Sequence, residues 1–366
     1  MDAIVIGGGA AGLAAAAMLK RRGLEPVVLE RGPEVGWSWH GRYDRLQLHT
    51  VRWLSGLPGH RIPRRYGRWP SRERVCDYLR EYAERHRLDV RCGVEARRVE
   101  QTDGGWRVET SAEPLEASRI VVATGYNAQP VLPDWPGRDG FPGTLIHSSA
   151  YRNAEPFRGQ DVLVVGAGNS AAEIAVDLAD GGAANVRLSV RTPPHIVRRD
   201  RLGIPSQALG IAMTKLPPRW VNALALWLRR HTIPDLAPYG LPIPPEPPGV
   251  TFVRKWMIPI LDVGIVDAVR SGRVVVVAAV ERFEDGEVVL ADGMRLSPDA
   301  VVAGTGFRPA LEPLVGHLGV LDDRGRPSEP MPLPGLHFVG FTVTLGGLLR
   351  GIGIEARRLA ETVAAY

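Results

Sequence analysis

Two glycine-rich turns are the residues of this chain whose types and spacing point to chemistry. The first is Gly7-x-Gly9-x-x-Gly12, and the second is Gly166-x-Gly168 followed by Ala171. In such a turn the first glycine allows a tight bend, the second lets a pyrophosphate approach the backbone, and the third position lets helix and strand pack closely. The helix that follows offers N–H groups and its positive dipole end to the phosphates. Two such turns predict two bound dinucleotides, most economically a flavin and the nicotinamide that reduces it.

An acid at the end of the next strand assigns the first dinucleotide. The predicted strand Pro26–Glu30 ends in Glu30, where the ribose of a bound dinucleotide is expected. A carboxylate there accepts hydrogen bonds from an unmodified ribose diol and repels a 2′-phosphate. The adenosine ribose of FAD is unphosphorylated, so we predict that FAD binds at the first turn.

The matching position after the second turn carries no acid. The predicted strand over residues 186–190 is followed by Arg191 and Thr192. A guanidinium forms charge-assisted hydrogen bonds with a 2′-phosphate, so Arg191 predicts NADPH rather than NADH at the second turn. Arg198 and Arg199 are alternatives for this role, and a surface position at a strand end also remains open for Arg191.

The elements around the turns predict an α/β protein with two Rossmann-like dinucleotide-binding domains. In the first half, apolar runs predict strands at 4–6, 26–30, 90–94, 106–109 and 120–125, with a helix at 12–22. The second half repeats this order, with strands at 162–165, 186–190, 274–280, 287–290 and 300–307 and a helix at 170–179. After Gly306 the chain is expected to return to the first domain through a strand at 335–341 and a helix at 352–365.

We therefore predict a glutathione-reductase-like arrangement, in which an NADPH-binding domain is inserted into a discontinuous FAD-binding domain. The predicted FAD domain covers residues 1–155 and 306–366, and the predicted NADPH domain covers residues 156–305. A helical and proline-rich insertion is expected at about 200–260, where the apolar segment 220–228 precedes the prolines Pro242, Pro244, Pro245, Pro247 and Pro248. This segment fits a helix on a membrane surface, but we favour a helix packed over the NADPH domain beside a substrate channel.

The charge of the chain does not indicate a nucleic-acid partner. The net charge is +5, from 45 basic and 40 acidic residues. The densest basic cluster consists of Arg61, Arg64, Arg65, Arg68, Arg72 and Arg74, with Tyr66 and Trp69 among them. Because no nucleic-acid-binding motif accompanies this cluster, we expect solvated surface or a positive approach for an anionic cofactor.

The cysteines and the apolar stretches predict a cytoplasmic protein. Cys76 and Cys92 belong to no C-x-x-C pair, so neither a redox dithiol nor a zinc site is expected. Two thiols without a disulfide framework suit a reducing compartment. The chain enters a strand directly after Met1, and no apolar stretch reaches the roughly 18 residues that a membrane span needs. We therefore expect neither a cleavable leader nor a transmembrane segment.

A segment between the two turns resembles the signature of flavin-containing monooxygenases. It reads Phe141-x-Gly143-x-x-x-His147-x-x-x-Tyr151. Baeyer–Villiger monooxygenases have a similar segment that typically ends in Trp followed by Pro or Asp, whereas Tyr151 is followed here by Arg152. Further segments resemble plant YUCCA-type flavin monooxygenases: Trp39, 43–49, 166–173, 261–264, 305–308 and 340–342. The run 123–126 matches a linker of these flavoproteins, so the resemblance covers nearly the whole chain.

The resemblance implies a reaction and a set of site residues. NADPH would reduce FAD, and the reduced flavin would take O₂ to form a C4a-(hydro)peroxide that oxygenates a small organic substrate. N- or S-oxygenation and the oxidative decarboxylation of a 2-oxo acid, the substrate class of YUCCA-type relatives, are both implied. The FAD residues would be Gly7, Gly9, Gly12, Glu30, Trp39, Thr124, Gly125 and Gly340. The NADPH residues would be Gly166, Gly168, Asn169, Ser170 and Arg191, and no metal is expected.

Two histidines are left with alternative roles. His49 occupies a position where many animal-type flavin monooxygenases have an asparagine near the flavin, and YUCCA-type proteins share the histidine. His49 is therefore the candidate catalytic residue, as a group near the flavin that selects the reaction, although a packed histidine explains it equally well. His147 either shapes the link between the domains or contacts substrate.

Two other functions compete with a monooxygenase. An FAD-dependent NADPH reductase or diaphorase, passing electrons to a quinone or a protein, explains both turns but not the 141–151 signature. A flavin-bound sensing or interaction module explains the first turn but has no need of Arg191. The sequence leaves open a homodimer and a weak association with a membrane surface.

Overall fold

The computed structural model describes residues 1–201, 203–213, 217–246, 258–342, 344 and 346–364. Its strands are β1 (Ala3–Ile6), β2 (Pro26–Glu30), β3 (Asp89–Cys92), β4 (Ala96–Thr102), β5 (Gly105–Thr110), β6 (Leu115–Ala117), β7 (Ile120–Val122), β8 (Gln129–Pro130), β9 (Thr144–His147), β10 (Asp161–Val165), β11 (Asn185–Ser189), β12 (Ile196–Arg198), β13 (Asp200–Arg201), β14 (Ile204–Pro205), β15 (Ile260–Asp262), β16 (Val275–Val277), β17 (Val280–Glu284), β18 (Glu287–Leu290), β19 (Arg295–Leu296), β20 (Ala300–Ala303), β21 (Phe307–Arg308) and β22 (Leu336–Phe338). Its α-helices are α1 (Ala10–Lys20), α2 (Trp37–His40), α3 (Arg72–Arg85), α4 (Asn169–Asp180), α5 (Ser206–Met213), α6 (Pro218–Thr232), α7 (Ile265–Arg270), α8 (Glu312–Val315) and α9 (Leu348–Ala364).

The described chain divides into two compact units. The first unit contains residues 1–41, 50–129 and 307–366, and the second contains residues 42–49 and 130–306. These ranges differ from the ranges expected from sequence, because 42–49 and 130–155 belong to the second unit. The physical reason for the second difference is β9, which pairs in parallel with β20 and so becomes the edge strand of the second unit's sheet.

The first unit is built on a five-stranded parallel sheet in the order β22-β7-β1-β2-β3. Strand β1 is buried along its whole length, as expected for an apolar strand covered on both faces. Helix α1 is also buried from Ala10 to Leu19 and packs against both β2 and α9. Its alanines are small enough to let both neighbours approach. An antiparallel sheet of β4, β5 and β6 completes this unit.

The second unit repeats this plan with a sheet in the order β16-β11-β10-β20-β9, again parallel throughout. Helix α4 follows β10 as α1 follows β1, and an antiparallel sheet of β17, β18 and β19 corresponds to the one in the first unit. The prediction of two tandem dinucleotide-binding folds is therefore confirmed. In the first unit the edge strand beside β7 is β22, which comes late in the chain. In the second unit the edge strand beside β20 is β9, which precedes β10.

The insertion and the arginine cluster contain elements that the sequence patterns did not predict. Residues 196–262 hold two short strand pairs, β12 with β15 and β13 with β14, beside α5 and α6. Pro247, Pro248 and Ala365 lie outside the described residues. Part of the arginine cluster opens α3, whose first turn is capped by the Ser71 hydroxyl, which accepts a hydrogen bond from the N–H of Arg74.

Candidate functional site

The first glycine turn joins β1 to α1 and brings backbone segments close together. Gly7 has a φ of +113°, and a Cβ there would lie 2.6 Å from the carbonyl oxygen of Ala123. A Cβ on Gly12 would collide with the carbonyl oxygen of Gly7, so this glycine lets helix and strand pack. Gly9 differs from both, because a Cβ there would meet no atom of the described residues within 4 Å. The space beside Gly9 is therefore left open by the fold.

The beginning of α1 suits an anion. Gly9 is the N-cap residue, and no side chain among the described residues caps the helix or places an acid in its first turn. The first N–H groups of a helix have no partner within the helix, and its dipole end attracts negative charge. The open space and the uncapped helix end fit a pyrophosphate, such as that of FAD.

Glu30 lies at the end of β2, directly beside the first turn. Its carboxylate is buried and accepts hydrogen bonds from the N–H of Gly8 at 2.8 Å and from the N–H of Gly32 at 2.7 Å. These two bonds fix the carboxylate but use only part of its capacity, since two carboxylate oxygens offer about four acceptor positions. Glu30 therefore remains able to accept hydrogen bonds from a ribose diol.

The other predicted FAD residues differ in how closely they approach this turn. Thr124 follows β7, and its Cα would lie 3.2 Å from a Cβ on Gly7; Gly125 has a φ of +78°. Gly340 lies against α1, because a Cβ there would meet the Cβ of Ala11 at 2.7 Å, and its N–H donates to Glu355 at 2.6 Å. Trp39 lies in the short helix α2. Gly36 is the N-cap of this helix, and its N–H donates to the carbonyl of Gly8.

The second glycine turn joins β10 to α4 and has the same construction. A Cβ on Gly166, whose φ is +139°, would collide with the carbonyl oxygen of Gly304. Ala171 takes the third position and packs against Gly304, where a Cβ would come within 2.8 Å of the Ala171 methyl group. Gly168 is the N-cap of α4, lacks a side-chain cap within the described residues, and faces open space. This turn fits a second pyrophosphate.

Asn169 and Ser170 use their side chains within the second unit. The Asn169 side chain accepts from the N–H of Leu261 at 2.7 Å and donates to the carbonyl of Pro259 at 3.3 Å. It thereby ties β15 to the first turn of α4. The Ser170 side chain lies near the Tyr43 hydroxyl. The backbone N–H groups of Asn169 and Ser170, at the start of α4, are the groups available to a phosphate.

The three arginines considered for the 2′-phosphate have different surroundings. Arg198 donates to the carbonyl of Thr232 at 3.2 Å and pairs with Asp262 at 3.6 Å. Arg199 donates to the side chain of Gln47 at 3.1 Å. Arg191 is exposed at the end of β11, and its guanidinium forms neither a hydrogen bond nor an ion pair with any described residue. Of the three, Arg191 can bind a phosphate without breaking an existing contact.

His49 is held by a buried acid of α4. Glu173 is 4% exposed; one carboxylate oxygen contacts Nε2 of His49, and the other accepts from the Tyr43 hydroxyl at 3.2 Å. Burial, followed by the charge of Glu173, raises the pKa of Tyr43, so the phenol stays protonated as a donor. The contact links segment 42–49 to the helix of the second glycine turn. The sequence pattern does not single out Glu173, which lies at the end of the segment 166–173; its signal is an acid within an apolar helical run.

The residues of the 141–151 signature have architectural contacts within the second unit. Phe141 packs edge-on against Phe283, and a Cβ on Gly143 would lie 2.5 Å from the carbonyl of Asp299. The Nδ1 of His147 accepts from the N–H of Ser149 at 3.1 Å, so its Nε2 donates to the carbonyl of Gly306 at 3.0 Å. Burial lowers the pKa of His147 and favours this neutral form.

Tyr151 completes the signature by anchoring α4. Its ring is 1% exposed and stacks on Phe157, and its hydroxyl donates to Asp177 at 2.7 Å. Burial, with the neighbouring charge of Asp177, raises the pKa of this phenol. The signature therefore stabilises the edge of the second sheet and the helix beside it.

The insertion carries an amphipathic helix. On α6, Trp220 is 58% exposed and Trp227 is 52% exposed, whereas Arg229 is buried at 6%. The exposed tryptophans lie two turns apart on one face, and Arg229 lies on the opposite side. None of the helices in the described part of the chain is long and apolar enough to cross a membrane.

The arginine cluster and the cysteines have ordinary environments. Arg65 pairs with Glu81, Arg72 with Glu73 at 2.9 Å, and Arg74 with Asp77 at 3.2 Å, so acids of α3 offset much of the cluster's charge. Burial raises the pKa of the Cys76 thiol to about 11, which makes it unreactive. Among the residues the structure describes, no group of three potential metal ligands comes together.

Comparisons with known proteins agree with this geometry. A family model described as pyridine nucleotide-disulphide oxidoreductase matches residues 4–202. The chain is 35% identical to a probable indole-3-pyruvate monooxygenase, YUCCA9 of Arabidopsis thaliana, over 98% of this chain and 88% of that protein. It is 34% identical to indole-3-pyruvate monooxygenase YUCCA1 of Oryza sativa subsp. japonica, over 99% of this chain and 91% of that protein. Its structure resembles a flavin-containing monooxygenase from Stenotrophomonas maltophilia, with a TM-score of 0.76, 26% identity, and coverage of 100% and 98% of the two chains.

Proposed function

This chain belongs to the flavin monooxygenase family, which includes the YUCCA-type enzymes, and we propose that its substrate is a 2-oxo acid. The enzyme is a flavin-dependent monooxygenase, and enzymes of this family use FAD and NADPH. We infer that it acts on a 2-oxo acid, which it converts by oxidative decarboxylation to the carboxylic acid one carbon shorter. The observation that carries this proposal is the likeness to proteins named indole-3-pyruvate monooxygenases over almost the full length of both chains.

The residues of the first unit would hold FAD in this proposal. The pyrophosphate would lie over Gly9 at the N-terminus of α1, and Glu30 would accept hydrogen bonds from the ribose. Gly7, Gly12 and Gly340 keep the surrounding backbone close, and Trp39, Thr124 and Gly125 are proposed to line the same cofactor. The bound flavin supplies the electrons that activate O₂, and the protein contributes orientation, electrostatics and exclusion of water.

The residues of the second unit would hold NADPH. Gly166 and Gly168 open the turn to the pyrophosphate, and the backbone of Asn169 and Ser170 presents the first N–H groups of α4. Arg191 would bind the 2′-phosphate, which is supported by its exposure and by the absence of a competing contact among the described residues. Arg198 and Arg199 are supported less, because both already bond within the unit.

His49 is proposed to hold or accept a proton in the reaction. Its Nε2 is bonded to Glu173, so the ring is fixed and Nδ1 is the nitrogen left for substrate or solvent. We infer that His49 adjusts the protonation state of the reacting oxygen species, and that this decides between attack on a carbonyl and oxygenation of a soft nucleophile.

The test is the stoichiometry with 2-oxo acids. For each NADPH and O₂ consumed, with one proton taken up, one 2-oxo acid should give one carboxylic acid, one CO₂, one water and NADP⁺. Indole-3-pyruvate and phenylpyruvate are suitable probes, with ¹⁸O₂ to trace one labelled oxygen into the product acid. A neutral sulfide serves as the comparison for S-oxygenation.

The opposing results are distinct. If NADPH is oxidised with O₂ without release of CO₂, and the sulfide is converted to a sulfoxide, the substrate is a soft nucleophile and not a 2-oxo acid. NADPH oxidation that requires a quinone or a protein acceptor, with no label in any product, would contradict oxygenation of any substrate by this chain.

A further inference from the structure

Arg229 is a buried guanidinium without a hydrogen-bond or ion-pair partner among the residues that the structure describes. It lies on α6, is 6% exposed, and its Nε has no hydrogen-bond partner. Its side chain forms no hydrogen bond or ion pair with any residue that the structure describes. Taking a charged group out of water costs several kcal/mol, roughly, unless an opposite charge or a set of hydrogen bonds replaces the water. A buried cation in this state is expected where an anion completes the site.

The position of Arg229 near the end of α6 does not explain its burial. Cations near a helix C-terminus interact favourably with the helix dipole. Arg230 and His231 already provide this interaction from the exposed side of the same turn. The nearest acid on this segment, Asp235, attracts the guanidinium, but it is exposed and accepts instead from the N–H of Ala237 at 3.0 Å. Burial lowers the pKa of Arg229, and Asp235 offsets this only in part.

His195 supplies a second buried polar atom beside Arg229. It is 5% exposed, and its Nε2 donates to the carbonyl of Glu246 at 2.9 Å. In that tautomer Nδ1 is an acceptor, and it is buried without a hydrogen-bond partner. The positive charge of Arg229 is close enough to lower the pKa of His195, in addition to burial. The pair therefore matches a ligand with an anionic oxygen for the guanidinium and a hydroxyl or a water for Nδ1.

The elements that hold this pair connect it to the second glycine turn within one unit. His195 precedes β12 and accepts through its carbonyl from the N–H of Ile260, and β12 pairs with β15. β15 is bonded through Leu261 to Asn169 in the first turn of α4. The pair β12–β15 thus connects the segment of His195 to α4, the helix at which the nicotinamide dinucleotide is proposed to bind.

We propose that Arg229 binds the carboxylate of the substrate acid, and that a water bound beside this carboxylate donates to Nδ1 of His195. This assignment rests on the proposed 2-oxo acid function and deepens it, because it names the residue that selects acids over neutral compounds. A guanidinium binds a carboxylate through two parallel hydrogen bonds, which gives geometric selection as well as charge. A phosphate of NADPH has the same chemistry, so the experiment must separate the two anions.

The experiment compares Arg229→Gln with Arg230→Gln in the FAD-loaded enzyme. Arg230 is exposed on the same helix and loses the same charge, so it is the matched control. Binding of phenylpyruvate to the oxidised enzyme with NADP⁺ is measured by calorimetry, together with the KM values for phenylpyruvate, for NADPH and for thioanisole as a neutral substrate. We expect Arg229→Gln to raise the Kd and KM of phenylpyruvate about 10- to 100-fold. The NADPH and thioanisole values should change less than about twofold, and Arg230→Gln should behave as wild type.

Two results would overturn the assignment. A rise in the KM of NADPH with an unchanged Kd of phenylpyruvate would mean that the anion is a cofactor phosphate. Unchanged values for every ligand would mean that ordered water satisfies the guanidinium. A wild-type enzyme that does not decarboxylate 2-oxo acids would contradict the proposed function instead. In that case the Kd of a non-reacting acid such as indole-3-acetate still tests the site, because it should weaken only in Arg229→Gln.

Thermal unfolding gives a second readout that does not depend on turnover. Arg229→Leu removes an unpaired buried charge, so without ligand it should unfold at a higher temperature than wild type. Added indole-3-acetate should raise the Tm of the wild-type enzyme and leave that of Arg229→Leu unchanged. A lower Tm for the ligand-free variant, or equal shifts with indole-3-acetate, would contradict a ligand-binding role.

Discussion

The carboxylate of Glu173 contacts the imidazole of His49, and both belong to the second unit although they are far apart in the sequence. The same carboxylate accepts from Tyr43, so one buried acid holds both ends of segment 42–49. We expect Glu173→Ala to lower the free energy of unfolding by about 1–3 kcal/mol, because the buried Tyr43 hydroxyl loses its acceptor. Urea unfolding of Glu173→Ala, Tyr43→Phe and the double variant measures this. Strictly additive losses would show that the Tyr43 contact contributes nothing.

His49→Ala tests the catalytic proposal separately from the fold. The variant removes the proton-bearing group but leaves Glu173 its bond from Tyr43, so folding should survive. We expect the rate of product formation to fall about 100-fold, the lower end of the contribution expected of a general acid or base. Unchanged NADPH oxidation, coupling and product formation would mean that His49 is only a packed histidine.

Arg191 is expected to determine the preference for NADPH. Arg191→Ala should raise the KM for NADPH about 10- to 100-fold, the loss of a charged hydrogen bond worth about 1.5–3 kcal/mol, and should hardly change the KM for NADH. Arg187→Ala is the control, because Arg187 carries the same charge and lies within β11, the strand that Arg191 follows; it pairs with Asp161 at 3.7 Å. Equal changes in the KM values for NADPH and NADH would contradict the proposal that Arg191 binds the 2′-phosphate.

Gly9 and Gly12 should respond differently to the same added methyl group. Gly12→Ala forces a collision with the carbonyl of Gly7, so the free energy of unfolding should fall by about 1–3 kcal/mol. Gly9→Ala meets open space at a φ of −84°, so the apoprotein should unfold as wild type does. Its affinity for FAD should nevertheless fall, because the methyl group occupies the approach of the pyrophosphate. Wild-type flavin content and Kd in Gly9→Ala would contradict this placement.

His337 should make the protein less stable in mild acid. Burial, reinforced by Arg119, lowers the pKa of this β22 residue to about 4 from its ordinary value of 6.5. The folded state thus favours the neutral ring; its contribution is complete above pH 6.5 and is lost as the pH falls through 4. The full loss is about 3 kcal/mol. Urea unfolding at pH 7.5 and pH 4.5 should differ less for His337→Leu than for wild type; equal differences would contradict the assignment.

Tyr151→Phe should affect the fold rather than the reaction. The substitution removes the 2.7 Å hydrogen bond to Asp177 and leaves the stacked ring in place. We expect the free energy of unfolding to fall by about 1–2 kcal/mol and the KM values for NADPH and substrate to stay within about twofold. A large loss of turnover at wild-type stability would mean that the Tyr151 hydroxyl takes part in the reaction.

The sequence predicted those features that depend on neighbouring residues. A glycine turn between an apolar strand and a helix is a local pattern, and the bounds of β2 and β18 agree with the predicted runs. The acid at Glu30 and the arginine after β11 follow from the same local reading. The sequence analysis predicted no helix at α3, because arginines dominate this segment. Its helical signal is the buried stripe of Val75, Tyr78, Leu79 and Tyr82.

The remaining features depend on contacts between distant segments, which local patterns do not contain. Nothing near Thr144 states that β9 pairs with β20, and this pairing assigns the whole signature to the second unit. In the same way, the sequence cannot show that Asn169 bonds to Leu261 or that Arg229 is buried with no partner in the described part of the chain. Such groups are identified only when the partners that surround them are known.

The interleaving of the two units also fixes an order of assembly during synthesis. The main segment of the second unit, 130–306, can close as soon as it leaves the ribosome, and segment 42–49 is already present. The first unit cannot close at that point, because β22 and α9, which pack against β7 and α1, follow residue 306 in the chain. Domains fold as units once their residues are available. If the two dinucleotides bind as proposed, the nascent chain should bind NADPH before it can retain FAD.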